Sequence, residues 1–546
     1  MLQLALAAAA TPPPIEHVVL LVMENRPYDF YFGWNEQQKA AGGNVLTGDE
    51  FNYFDTKDPS KGKLGVQKGK ANYVCKDGSD MSFGIYDKDI FGPNTGWNGS
   101  SAPYPKPTTW GTGYLEVNKG NAEIMAQMSP EQVPVKTALA AEFATFDDWH
   151  AAFPGPSTPN HLFLQTATAY GCTETGATYK CKAGGLFPQK TIYESLAAQN
   201  KTWAYYYNDS AWNSFLEFFH TKEGQAGMLG YDTFYDQARK GTLPSFSWIL
   251  PRQGHNKTTG QGSNDDHPCH DIALGERLLK DTYEAVRAGP GWEKTVMIVT
   301  YDDPGGWFDH GSVPTGVPRP DNMSMPSCPD DADYTWLGAR VPTLLISPWV
   351  QKGRVIHSPK VLSNFYLPRR LAYLVLTYLL TFRILPPSFH PSIHSSFLLK
   401  GPASDSVYEH SSIPASLKDI FGLPNFLTKR DAWAGSVVSE LTEATARSDC
   451  LMHAPEAPPP TPTWRESDET EALLLFAEQG YPGHCSALAS PRCADPRHAN
   501  KKQRQRMKQW SEVNGVVAPL DPTQDEADDW ITEQFHAFRT GMLSGE

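Results

Sequence analysis

The sequence predicts a three-layer α/β/α sandwich on a largely parallel central sheet, followed by a small, partly helical C-terminal region. Three observations carry that prediction: short apolar runs without polar alternation, helix-period segments between them, and polar clusters directly after two of the runs. A strand covered by helices on both faces has no solvent side, so nothing makes its residues alternate.

The first run is His17–Met23 (HVVLLVM), the second Thr295–Thr300 (TVMIVT) and the third Val341–Ser347 (VPTLLIS). All three are expected to be buried parallel strands. The clearest helix is Asp271–Ala288, where Ile272, Gly275, Leu279, Tyr283 and Val286 share one face. Asp271 can cap its start and Gly289-Pro290 stops it. Glu24-Asn25 follows the first run at once, and Asp302-Asp303 follows the second after Tyr301. Parallel α/β sheets bind ligands beyond the carboxyl ends of their strands, so both clusters are expected in one crevice.

Composition narrows the function. The 546 residues are 40% hydrophobic and 12% aromatic, too apolar for a disordered chain. Lys plus Arg (47) against Asp plus Glu (61) leaves a net charge of −14, which repels polyanions and argues against a nucleic-acid partner. Leu2–Ala10 resembles a signal segment over residues 1–14, although no basic residue precedes it. Eight cysteines without a CxxC ladder, and Asn-x-Ser/Thr triplets at Asn98, Asn200, Asn208, Asn256 and Asn322, point towards a secreted or lumenal, disulfide-permissive compartment. One catalytic domain is expected over 15–450 and a C-terminal region over 451–546, joined by the Pro-rich Ala457–Pro462. Residues 361–400 look foreign: they hold no acidic residue, and their apolar Leu371–Phe382 is too short to span a bilayer of about 30 Å. No transmembrane helix is expected.

Several side chains could do chemistry. Glu24, Asn25, Asp302 and Asp303 offer only oxygen ligands, a set suited to a divalent cation that also holds phosphate oxygens. On spacing alone they equally suit an acidic turn and a helix cap. Gly155-Pro156-Ser157-Thr158-Pro159-Asn160-His161 is a polar turn ahead of an apolar stretch; it would present a hydroxyl at a helix start, or be a structural turn. His267, His270 and His310 could donate to a phosphate or protonate a leaving oxygen. The local His267-Pro268-Cys269-His270 invites a zinc or a thiol reading, but the fourth zinc partner and any supporting flank are missing.

Glu24-Asn25-Arg26-Pro27-Tyr28-Asp29 resembles the ENRSFD motif of the phosphoesterase family of plant non-specific phospholipases C, bacterial phosphatidylcholine-hydrolysing phospholipases C and related acid phosphatases. Further segments are similar to that family in the right order: Ala140–Asn160, Asn264–Glu276, Ile298–His310, Arg340–Gly353 and, after the odd insert, Glu409–Gly435. The resemblance implies an alkaline-phosphatase-like fold and phosphoester hydrolysis through a covalent phospho-enzyme. Its nucleophile falls on Ser157, two residues before Pro159-Asn160, with Thr158 the alternative one register away. It implies metal binding by Glu24, Asn25, Asp302 and Asp303, and phosphate or leaving-group contact by His267 and His310. Asn160, His161 and His270 are then expected at the substrate, with Asp271 and Thr158 supporting them.

Two positions depart from the family pattern. Phe30 stands where many relatives have His, and His161 where many have Arg, which puts the choice of substrate in question. The expected activity is phospholipase C-type cleavage of a glycerophospholipid, with transient contact to a membrane surface. The alternatives are an acid phosphatase acting on phosphomonoesters and a non-catalytic phospholipid-binding relative. Joining Lys360 to Gly401 restores the run expected of the family, so 361–400 reads as an intron carried through in the gene, or else as a lid over the lipid site.

Overall fold

A computed structural model describes residues 13–461, except 77, 98–101, 108, 176–185, 210–214, 255–261, 324–331 and 360–402. The Leu2–Ala10 run, the 361–400 insertion and the chain after Thr461 lie outside the described residues. All described residues belong to one compact unit, Met1–Phe476.

The strands, in chain order, are β1 (His17–Met23), β2 (Phe51–Tyr53), β3 (Lys63–Gly65), β4 (Gln67–Lys68), β5 (Ala126–Gln127), β6 (Ala144–Phe146), β7 (Trp149–His150), β8 (Trp203–Tyr207), β9 (Met228–Gly230), β10 (Phe246–Ile249), β11 (Thr295–Tyr301), β12 (Thr343–Ile346), β13 (Arg354–Ile356) and β14 (Tyr408–Glu409). Eight of them form the central sheet in the order β13-β6-β12-β11-β1-β10-β8-β9. β1 lies at its centre, parallel to β11 with Met23 opposite Tyr301, and parallel to β10 with Leu21 opposite Ile249. That register brings Glu24 and Asp302 out at the same edge, as the sequence predicts.

The third apolar run departs from expectation. β12 is antiparallel to both β11 and β6, with Ile298 opposite Leu345 and Thr145 opposite Leu344. Its four residues are buried, so neither face is polar and the sequence carries no sign of strand direction.

Helices pack against this sheet. The helix Ile272–Ala288 starts where predicted, with the Asp271 carboxylate accepting from the Ala273 amide at 3.0 Å, and stops before Gly289. Residues 451–461 run along it: Lys280 Nζ donates to the Ala454 carbonyl at 2.6 Å, and the Thr461 amide reaches the second oxygen of Asp271 at 2.7 Å. Among the described residues no helix is long and apolar enough to cross a membrane.

Candidate active site

The crevice is built from strand ends. After β1, Asn25 turns into the left-handed region at φ 55°, and its amide N–H donates to Asp302 Oδ1 at 2.9 Å. The turn after β11 passes so close that a Cβ on Gly305, which has φ 67°, would lie 2.0 Å from the Asn25 carbonyl oxygen. A side chain there is excluded twice, by the backbone conformation and by the contact.

Ser157 opens the ten-residue helix Ser157–Thr166, at the end where the helix dipole favours negative charge. Its Oγ lies 3.1 Å from Asp303 Oδ2 and 3.3 Å from Asn25 Oδ1. Thr158 is engaged differently: its amide donates to Thr175 Oγ1 at 3.2 Å. Asn160 is spent on the turn itself. Its amide nitrogen donates to the carbonyls of Phe153, Gly155 and Pro156, and its oxygen accepts from the Phe153 amide at 2.9 Å. That amide thus holds the turn carrying Ser157.

One turn along, His161 Nε2 lies 3.0 Å from Glu24 Oε1 and 3.6 Å from Asp302 Oδ2. One ligand atom from each of Glu24, His161 and Asp302 falls within 4.8 Å of the other two. Gln253, at the end of β10, donates to Glu24 Oε1 at 2.9 Å. Burial pushes the Glu24, Asp302 and Asp303 carboxyls well above their ordinary range, and neighbouring carboxylates add to it: Asp265 and Asp303 for Glu24, Glu24 for Asp302, and Asp302 for Asp303. His161 does not balance them, because burial holds its own pKa below the ordinary value. Three buried carboxylates with so little compensation fit a cation. The Asn25 amide lies against the same carboxylates: turned with its nitrogen inward it would donate to Glu24 at 3.0 Å and Asp302 at 3.2 Å.

The histidines divide into two groups. His267 and His270 lie on a loop beside β1, where the Asp265 carbonyl accepts from the Glu24 amide at 2.8 Å. His270 Nδ1 meets Asp265 Oδ1 at 2.6 Å. His267 is buried, with its pKa depressed to about 4 by burial and then by His270. The loop is fixed from both sides: the Asp266 carboxylate takes Lys136 Nζ at 3.0 Å, Tyr31 OH at 2.8 Å and Tyr301 OH at 2.5 Å, and Cys269 is disulfide-bonded to Cys75. The bonded sulfur leaves neither a thiol nucleophile nor a thiolate ligand at Cys269.

His310 belongs to a second cluster. Its Nδ1 pairs with Asp29 Oδ2 at 2.6 Å and its Nε2 with Asn44 Oδ1 at 2.9 Å. Burial alone would lower its pKa, but the Asp29 carboxylate raises it above the usual imidazole value. Arg340 joins the cluster, bonded to Asp29 and Asp309 at 2.9 Å each.

Several of these roles were not legible in the sequence. Gln253 could have been found from the apolar Phe246–Leu250, since residues just past a strand's end line the cleft. The family resemblance implies a substrate contact for His161, whereas the structure sets it among the carboxylates. His410, whose Nε2 meets the Asp302 carbonyl at 2.5 Å, had no local signal.

Known proteins are similar to this chain over much of its length. Residues 15–424 match the Phosphoesterase family. Non-specific phospholipase C6 of Arabidopsis thaliana is 35% identical over 85% of this chain and 79% of its own length. Non-hemolytic phospholipase C of Burkholderia pseudomallei is 24% identical over 62% of this chain and 52% of its own. Among solved structures, an alkaline phosphatase superfamily protein from Vibrio parahaemolyticus aligns over 42% of this chain and 58% of its own at 13% identity, with a TM-score of 0.26. The chain belongs to the phosphoesterase family, the enzymes that hydrolyse phosphoric esters.

Proposed function

We propose that the protein is a metal-dependent phospholipase C that cleaves glycerophospholipids to diacylglycerol and a phosphorylated head group. The observation that carries this reading is the meeting of Ser157 Oγ with Asp303 and Asn25 beside the buried Glu24 and Asp302. Ser157 Oγ attacks phosphorus, the Ser157 proton passes to Asp303 Oδ2, and the bond to the glycerol oxygen breaks. Of the two candidate histidines, His310, whose pKa Asp29 raises, is better suited to protonate that oxygen than His267, which its depressed pKa of about 4 leaves neutral. Water then attacks phosphorus: its hydroxyl goes to the departing head-group phosphate and its proton to Ser157 Oγ, while Asp303 gives up its proton to solvent and the histidine takes one back. Glu24, Asn25, Asp302 and Asp303, with His161, would hold a divalent cation, which supplies charge neutralisation at the phosphoryl oxygens when bound. Asn160 fixes the nucleophile turn, and Asp271 caps the helix that follows the His267 loop. The phospholipase names of the relatives support the diester substrate.

Two measurements test this. A chromogenic choline phosphodiester is expected to be hydrolysed well above the matching phosphomonoester; the reverse order would make the protein an acid phosphatase, and tight phospholipid binding without turnover a non-catalytic relative. Chelator treatment is expected to cut hydrolysis by about tenfold or more, with recovery on adding back one divalent cation. Full activity in a rigorously metal-free preparation would remove the cation from the proposal.

A secreted or lumenal location fits the Cys75–Cys269 disulfide and the exposed sequons at Asn200, Asn208 and Asn322.

A further inference from the structure

One surface element reverses the charge of the chain. Residues 51–76 hold six lysines against two aspartates, in a protein whose net charge is −14. The segment is a ribbon: β2 and β3 pair as an antiparallel hairpin, and β4 continues parallel to β5. All six lysines, Lys57, Lys61, Lys63, Lys68, Lys70 and Lys76, are exposed. Phe54 stands 41% exposed among them, one of two large apolar side chains left in solvent among the described residues. Gly120 packs under that ring, and the neighbouring Lys119 is exposed too. Two carboxylates touch the ribbon from outside, Glu116 and Glu123, and both accept its backbone N–H groups, from Thr56 and Lys76.

The ribbon is anchored to the catalytic crevice. Cys75 is bonded to Cys269, between His267 and His270. Three residues beyond the ribbon Ser79 Oγ donates to the Gly305 carbonyl, and Met81 Sδ lies 2.8 Å from the Asn25 amide nitrogen. A molecule with this net charge is repelled by an anionic bilayer on average, and lysines gathered on one face turn that repulsion into local attraction. The exposed Phe54 ring between them can bury its apolar face at the headgroup–acyl boundary.

We infer that the 51–76 ribbon is the surface by which the protein docks on an anionic lipid bilayer, bringing the crevice to the membrane. The inference rests on the phospholipase reading for its purpose, but its test does not depend on turnover. In full-length Ser157→Ala protein, binding to vesicles of phosphatidylcholine with about a third phosphatidylserine is expected to exceed binding to pure phosphatidylcholine and to weaken as salt is raised. Lys57, Lys68, Lys70 and Lys76→Gln in that background should weaken binding about a hundredfold or more, at an unchanged melting temperature. Equal binding to neutral vesicles, or indifference to salt, overturns the assignment even if the fourfold variant cannot be purified. Binding that survives the four substitutions also overturns it, and places the contact elsewhere, such as the basic run Lys501–Arg506. A failure of the hydrolysis assays with vesicle binding as described would leave the docking surface standing and remove only the enzyme's proposed substrate.

Discussion

Ser157→Ala is expected to lower turnover by about 10⁴-fold or more, because no neighbouring group replaces a lost covalent nucleophile. Ser157 is 2% exposed and its hydroxyl has one proton to give, to Asp303 or to Asn25, so the change removes few contacts. Stability should stay within about 1 kcal/mol of the parent. Thr158→Ala is the control, since its backbone rather than its hydroxyl carries the contact to Thr175. Steady-state hydrolysis separates the two variants, and mass spectrometry of acid-quenched enzyme should find the phosphoryl adduct on the Ser157 peptide. Activity retained in Ser157→Ala but lost in Thr158→Ala would move the nucleophile by one residue; activity retained in both would end the covalent scheme.

The largest loss of stability is expected from Arg340→Met. Arg340 is fully buried over the Tyr28 ring and bonds Asp29, Asp309 and the carbonyls of Asn44 and Asp147. Asp29 and Asn44 follow β1, Asp147 follows β6 and Asp309 follows β11, so one guanidinium ties three segments of the chain. Removing it leaves Asp309 buried without its cation and Asp29 with His310 alone, a loss of about 3–5 kcal/mol. Arg340→Lys should recover little, because a single ammonium cannot reproduce the planar fork on Asp309 and Asp29 together. Urea unfolding of the purified variants measures both, and a midpoint for Arg340→Met equal to the parent would show that the cluster is neutral to stability.

The central strands were legible because burial on both faces leaves an unbroken apolar run, and both polar clusters were legible because they follow those runs directly. His17–Met23 is reproduced to the residue, and the Asp271 cap is found where the sequence placed it. Strand direction was not legible for β12, since buried runs look alike in either sense. The site shows the same division. Ser157, Glu24, Asn25, Asp302 and Asp303 form one cluster, as the motifs implied. The supporting network was hidden, because Lys136, Gln253 and His410 act over separations of 108 to 229 residues and leave no local pattern.

The reversed strand β12 also decides where this enzyme can vary. A parallel neighbour would oblige the chain leaving β11 to travel to the opposite edge of the sheet before entering it again. Because β12 runs back, the chain from Asp302 to Arg340 starts and finishes at the edge holding the crevice, and supplies Asp303, Asp309, His310 and Arg340 in a single excursion. Length can therefore be gained or lost within this excursion while every strand of the sheet keeps its neighbours. Relatives with the same strands could acquire different cleft walls there, with the carboxylates at the strand ends left in place.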